Sequence, residues 1–169
     1  IDADDHVYIV DQNNHRIQKF TTDGTYILQW GEAGIQGGQF NLPWGIAVDA
    51  QGAVYVADWR NDRIQKFTPD GQFVSSFGES GEGEGQFHRP SSVAVDSEGY
   101  IYIADWSNER VQVLGPDGSF QLLLRGQATL SKWAEEYFVV NPEEWQTRVS
   151  SNLMSPLPPH LNTPYHISS

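Results

Sequence analysis

Up to about residue 125 the apolar positions fall in short runs of roughly five residues, not at helical spacing, and tight turns separate the runs. The clearest unit spans 42–88. There GIAVD (45–49) reads as a first strand, VYVADW (54–59) as a second, RIQKF (63–67) as a third and QFVSSFG (72–78) as a fourth. The turn TPDG (68–71) carries its own chemistry: Pro69 presets φ, Asp70 tolerates the bend and Gly71 takes the left-handed position. In VYVA both faces are apolar, Val54 and Val56 on one and Tyr55 and Ala57 on the other. A sheet with one wet face alternates polar and apolar residues, so this one must be covered on both sides.

The unit recurs. Asp11, Asp58 and Asp105 fall 47 residues apart, as do Arg16, Arg63 and Arg110, and Gly24, Gly71 and Gly118. A fixed period of this size signals an array of like units, none of which covers its own faces alone. The pattern D-x-x-N-x-R-[IV]-Q at 11–18, 58–65 and 105–112, preceded by [VI]-Y-[VI]-x-D and followed by a DG turn, resembles the NHL repeat over roughly residues 1–125. The low-density-lipoprotein-receptor type of propeller repeat shares an aromatic-x-x-Asp strand and a DG turn, but its Asn–Arg spacing fits less well. The resemblance implies a β-propeller, usually six-bladed. The expected fold is all-β: four-stranded antiparallel blades in an incomplete ring at 1–126 (a partial blade at 1–41, blades at 42–88 and 89–126).

The repeated charged residues read as structural. Asp58 and Arg63 flank a four-residue loop between antiparallel strands, so they sit opposite one another and can pair; Asp11 with Arg16 and Asp105 with Arg110 follow. An isolated exposed pair of this kind contributes only about 0–1 kcal/mol. Three Asp residues converging on one metal is the rival reading, and the spacing of blades around a ring argues against it.

If the strands run down, up, down and up, the near-identical turns AQG, SEG, TTDG, TPDG and GPDG share one rim. The opposite rim carries QNNH, WRND and WSNE with the long connections GEAGIQGGQFNLP and GESGEGEGQFHRP. Binding residues concentrate on loops held by a rigid scaffold. The candidates are therefore Trp44, Trp59, Arg60, His88, Arg89, Ser91, Ser92 and Trp106, with Trp44 and Ser91 expected near the mouth of a central channel. Aromatic residues and arginine are enriched at interface hot spots, although tryptophans can equally pack over their own loops. Glu82 and Glu84 in GEGEGQF could supply oxygens to calcium, but the matching loop GIQGGQF has no carboxylate, so a solvated, flexible connection is expected and no cofactor or metal. Of the five histidines only His15 and His88 lie on the variable rim. Neither has a nucleophile at a recognisable spacing, so no catalytic residue is expected.

Charge narrows the partner. A net charge of −12 with ten Lys and Arg residues opposes nucleic acid, whose binding rests on neutralised phosphates. Without cysteine there is no disulfide or thiolate site, and no apolar run is long enough to span a membrane. Ile1 falls inside a repeat, so any targeting segment would lie upstream and the compartment stays unread. Past the last blade, Leu130, Trp133, Ala134, Tyr137 and Phe138 have helical spacing and Asn141-Pro142-Glu143-Glu144 resembles a helix start. The expectation is a short helical cap or linker at 127–149, then a proline-rich extended tail at 150–169.

The expected role is a binding module taking a protein or peptide partner through the variable rim, with self-association through uncovered sheet edges. The alternatives are part of a metal-dependent lyase or hydrolase with its site in the channel of a complete ring, or the sensor domain of a receptor kinase.

Overall fold

The computed structural model describes residues 1–125; the expected helical segment at 127–149 and the tail lie outside the described residues. The chain from Ile1 to Arg125 folds into three antiparallel sheets. The first has three strands in the order β1 (His6–Asp11), β2 (Arg16–Thr21) and β3 (Tyr26–Trp30). The second has four: β4 (Pro43–Val48), β5 (Val54–Asp58), β6 (Arg63–Phe67) and β7 (Phe73–Phe77). β8 (Pro90–Val95), β9 (Ile101–Asp105), β10 (Arg110–Leu114) and β11 (Phe120–Leu124) form the third. Each sheet is a meander of sequential neighbours, and β4 packs beside both β1 and β8. The inner strand β4 begins two residues before the expected 45–49, because Pro43 already pairs with Asp58 ahead of a bulge.

The two apolar faces of VYVA are covered by different neighbours. Val54 and Val56 join Tyr8, Ile17, Phe40 and Phe67 between the first and second sheets. Tyr55 and Ala57 join Ile64, Phe87, Val93, Ile101, Ile103 and Leu114 between the second and third. Strand alternation thus makes the middle sheet the shared wall of both cores.

Phe40 and Phe87 come from the connections between sheets, not from strands, and both are fully buried. Glycine makes room for them. A Cβ on Gly78 would lie 2.3 Å from the Phe87 ring, and one on Gly31 would lie 2.5 Å from Phe40; both glycines have positive φ, 88° and 98°. The expectation of a solvated, flexible connection at 81–87 is therefore corrected: the side chains of Glu82 and Glu84 are exposed, but Phe87 anchors the loop in the core.

Between the second and third strands of each sheet the chain makes one 3-10 turn, at Gln12–Asn14, Trp59–Asn61 and Trp106–Asn108. Each turn ends on a left-handed residue that is not glycine: His15, Asp62 and Glu109. Two of these side chains reach the entry of the next sheet. His15 Nδ1 accepts the Leu42 N–H at 3.1 Å, and Asp62 accepts the Arg89 N–H at 2.7 Å.

Candidate functional site: a repeated loop clamp and the rim above it

Asp58 and Arg63 lie opposite one another across β5 and β6, as expected, but the pair is not an exposed one. Asp58 and Asp105 are fully buried, and Arg110 is nearly so. The Asp58 carboxylate accepts hydrogen bonds from Arg63 Nε (2.9 Å), Asn61 Nδ2 (2.9 Å), Gln65 Nε2 (3.0 Å) and the Asn41 N–H (2.7 Å). Burial pushes this carboxyl up, and the Asn41, Asn61 and Arg63 donors pull it back.

The rest of the Arg63 fork faces backbone. It donates to the carbonyls of Ile35 (2.8 Å), Gln36 (2.8 Å) and Gln39 (2.9 Å), while Asn61 donates to Gly34 O (2.8 Å). Gln65 donates to Gln39 O (2.7 Å) and accepts from Gly38 N (2.9 Å). In the third sheet Arg110 holds Glu82, Gly83 and Gln86, Asn108 holds Gly81, and Gln112 holds Gln86 and Gly85. The motif is thus a clamp that seats the preceding inter-sheet loop by its main chain. Only backbone is gripped, which is why IQG and EGE can fill the same place.

Among the described residues, the same side chains of the first sheet meet only one another and Gln29. Asp11 accepts from Asn14, Arg16 and Gln18, and Arg16 Nη1 donates to Gln29 Oε1 at 2.8 Å. The Arg16 hydrogen bond holds the Asp11 carboxyl below its usual range against a smaller opposing effect of burial. A second repeated device sits at the opposite rim, where Tyr8, Tyr55 and Tyr102 donate their hydroxyls to Asp2, Asp49 and Asp96. Burial alone would raise Asp2 and Asp96, but backbone and tyrosine donors carry both below the carboxylate norm.

The clamp brings the 3-10 turns up against the connections, on the rim where the variable residues lie: Arg60 N donates to Asn41 O at 3.0 Å, and Ser107 N to His88 O at 3.1 Å. There Trp44 and Trp59 meet edge to face, with centroids 5.3 Å apart. The Arg60 and Arg89 guanidiniums lie 5.5 and 5.1 Å from the Trp59 ring centre. Trp44 is 50% exposed, whereas Trp59 is half-buried and its Nε1 donor is buried without a protein acceptor. The structure therefore assembles four of the eight sequence candidates into one cluster.

The others fall around it. Ser91 takes the place of Trp44 in the third sheet, and its hydroxyl approaches Ala104 O at 3.4 Å. The backbone of Ser91 and Ser92 abuts Gly45, where a Cβ would lie 2.7 Å from Ser92 Cα. His88 gives its N–H to the Asp105 carboxylate, with its side chain exposed. Trp106 is exposed and stands in the turn equivalent to that of Trp59, in a repeat with no second indole. Sequence reasoning passed over Asn41 and Asp62, whose carbonyl and carboxylate fix the Arg60 and Arg89 backbones. The polar series His15, Asp62 and Glu109 was the available signal. Among the described residues no three of His, Cys, Asp or Glu converge as a metal site, and no helix is long and apolar enough to cross a membrane.

The NHL-repeat family model matches residues 1–20, 40–67 and 87–114. No curated protein matches the chain significantly. Solved structures that resemble it include a streptogramin B lyase, at 15% identity and a TM-score of 0.59 over 76% of this chain and 40% of that one. Selenomethionine-substituted virginiamycin B lyase from Staphylococcus aureus, at 17% identity, has the same score and coverage. The WD40 repeats of RRP9, at 16% identity, give a TM-score of 0.58 over 74% of this chain and 36% of that one. The chain thus spans about two-fifths of their length, and at such identities the likeness is one of fold. With three family matches in the register of three clamps, on sheets of propeller-blade type, the chain belongs to the NHL-repeat family.

Proposed function

We propose that the chain is a binding module that takes a protein or peptide partner on the rim built by Trp44, Trp59, Arg60 and Arg89. The observation carrying this reading is the cluster itself: two indoles in contact, flanked by two guanidiniums, on a frame rigidly held from below. Aromatic and arginine side chains on a pre-organised surface lose little entropy on binding and form the usual centre of an interface. The two cations stand out on a chain of net charge −12, so the complementary segment carries a carboxylate beside an apolar side chain.

The test is selection from a random displayed-peptide library on the 169-residue chain, counter-selected against the Trp44→Ala/Arg60→Ala double variant. Acidic, apolar peptides that bind the parent and not the variant are expected. Recovery only of peptides that bind both equally would overturn the rim as the site.

A further inference from the structure

The three sheets are built alike, yet the face that each turns toward its predecessor is not equally covered. In the second sheet Val54, Val56, Gln65 and Phe67 are fully buried, and in the third Ile101, Ile103, Gln112 and Leu114 are buried in the same way. The equivalent residues of the first sheet are Val7, Ile9, Gln18 and Phe20. None of these is buried, and Ile9 is 46% exposed. β1 is also an edge strand, whereas β5 and β9 each have an inner strand beside them. The clamp above completes the picture: among the described residues Asn14, Arg16 and Gln18 hold no backbone carbonyl, although their counterparts hold the loops 34–39 and 81–86.

We propose that this face is a docking site for an extended loop-and-strand segment lying outside residues 1–169, of the pattern Gly-x-x-x-Gly-Gln-Phe-x-x-Pro-x-x-[Ile/Val]-Ala, which 34–47 and 81–94 share. The chain itself supplies the template, because it seats segments of this kind twice. Gln-Phe places a carbonyl on the Arg16 and Gln18 donors and a ring over the apolar face. The residue after Phe gives its N–H to Asp11, as Asn41 and His88 do to Asp58 and Asp105. Beyond the proline the segment adds a strand to the free edge of β1. By the register of β4 on β5, its Pro, Ile and Ala lie opposite Asp11, Ile9 and Tyr8. Strand addition of this sort draws affinity from main-chain hydrogen bonds and specificity from alternate side-chain pockets. The glycines leave the loop carbonyls accessible, and side chains between them are free to vary.

The probe is a dye-labelled synthetic peptide of residues 32–47, titrated against the full 169-residue chain by fluorescence anisotropy. It stops at the Ala47 position because Ile1 begins where the next residue would lie. Saturable binding is expected, weakened about tenfold or more by Arg16→Ala in the chain, since charge-assisted hydrogen bonds are lost. A peptide with Phe40→Ala, lacking the buried ring, is expected to weaken to a similar degree. Ile9→Lys is a second chain variant, on an exposed position, so the result does not hang on one fold. Trp44→Ala in the chain leaves this binding unchanged, which separates it from the rim. No saturation at about 1 mM peptide, or binding indifferent to both chain variants, overturns the proposal. So does a discrete dimer of the chain that Arg16→Ala dissociates, because the occupant would then be a second copy.

Discussion

The same substitution at equivalent positions of two repeats isolates what the clamp contributes. Arg110→Ala removes a guanidinium whose Nε lies 2.7 Å from Asp105 and whose other nitrogens hold Glu82 O, Gly83 O and Gln86 O. It leaves a fully buried carboxylate with only the His88 N–H and Asn108 as donors. Removing one partner of a buried pair costs about 3–5 kcal/mol, and the two remaining donors place this case near 3. With a urea slope of about 1–3 kcal/mol per molar, the midpoint falls by about 1–2 M. Arg16→Ala removes the corresponding side chain where both partners are partly exposed and, among the described residues, no loop is seated. Its midpoint is expected to stay close to the parent's. The assay is equilibrium urea unfolding followed by tryptophan fluorescence, with circular dichroism confirming that each variant starts folded. Equal losses at the two positions would refute the reasoning, because the energy would then reside in the Asp–Arg hairpin pair alone and not in the seated loop.

A glycine pair tests packing in the same spirit. Gly24 and Gly78 share nearly the same φ, 87° and 88°, but a Cβ meets nothing within 4 Å at Gly24 and the Phe87 ring at 2.3 Å at Gly78. Gly24→Ala is expected to cost about 1–2 kcal/mol for the left-handed backbone, and Gly78→Ala about 1–3 kcal/mol more for overpacking, read as urea midpoints; indistinguishable midpoints contradict the plug role of Phe87. Acid should destabilise the chain. Asp2, Asp11, Asp23, Asp96 and Asp117 lie below the ordinary 3.8 when folded, so they stabilise the fold above that pH and cease to do so as pH falls through their folded values. Asp58, raised when folded, works in the opposite sense, and one group against five leaves a lower urea midpoint at about pH 3 than at about pH 6. A midpoint at pH 3 equal to or above that at pH 6 contradicts the assignment.

Much of the fold was legible because it rests on side chains with a period. Four strands per unit, the two-sided burial of VYVA and the Asp58–Arg63 pairing all follow from residue type at a fixed interval. The clamp was legible only by half. Arg63 and Gln65 recur visibly, but their acceptors are carbonyls of Ile35, Gln36 and Gln39, and a backbone acceptor leaves no mark in the sequence. For that reason the connection at 81–87 reads as solvated and flexible, although the recurrence of Phe40 and Phe87 one period apart was the clue to their burial. The rim cluster was legible as a set of residues and not as an arrangement. Trp44 is the second residue of β4 and Trp59 opens a 3-10 turn, and their contact depends on how the loop preceding β4 is seated, which is the very part that sequence did not reveal.

The two sets of residues divide the labour of the repeat. In the second and third repeats the recurring positions hold the main chain of a neighbouring loop. Gripping only main chain lets the side chains at 35–37 and 82–84 differ, as IQG and EGE in equivalent places demonstrate. Positions beside the clamp are thereby free to differ between repeats: Gln12, Trp59 and Trp106 occupy one such place, and Trp44 and Ser91 another. Among the described residues two indoles coincide on this rim only in the second repeat, and there the next repeat adds Arg89, fixed by Asp62. The side chains of this rim can therefore change without weakening the interface that joins the sheets. It follows that stability and partner binding should respond to separate substitutions, with Arg110 moving the first and Trp44 the second.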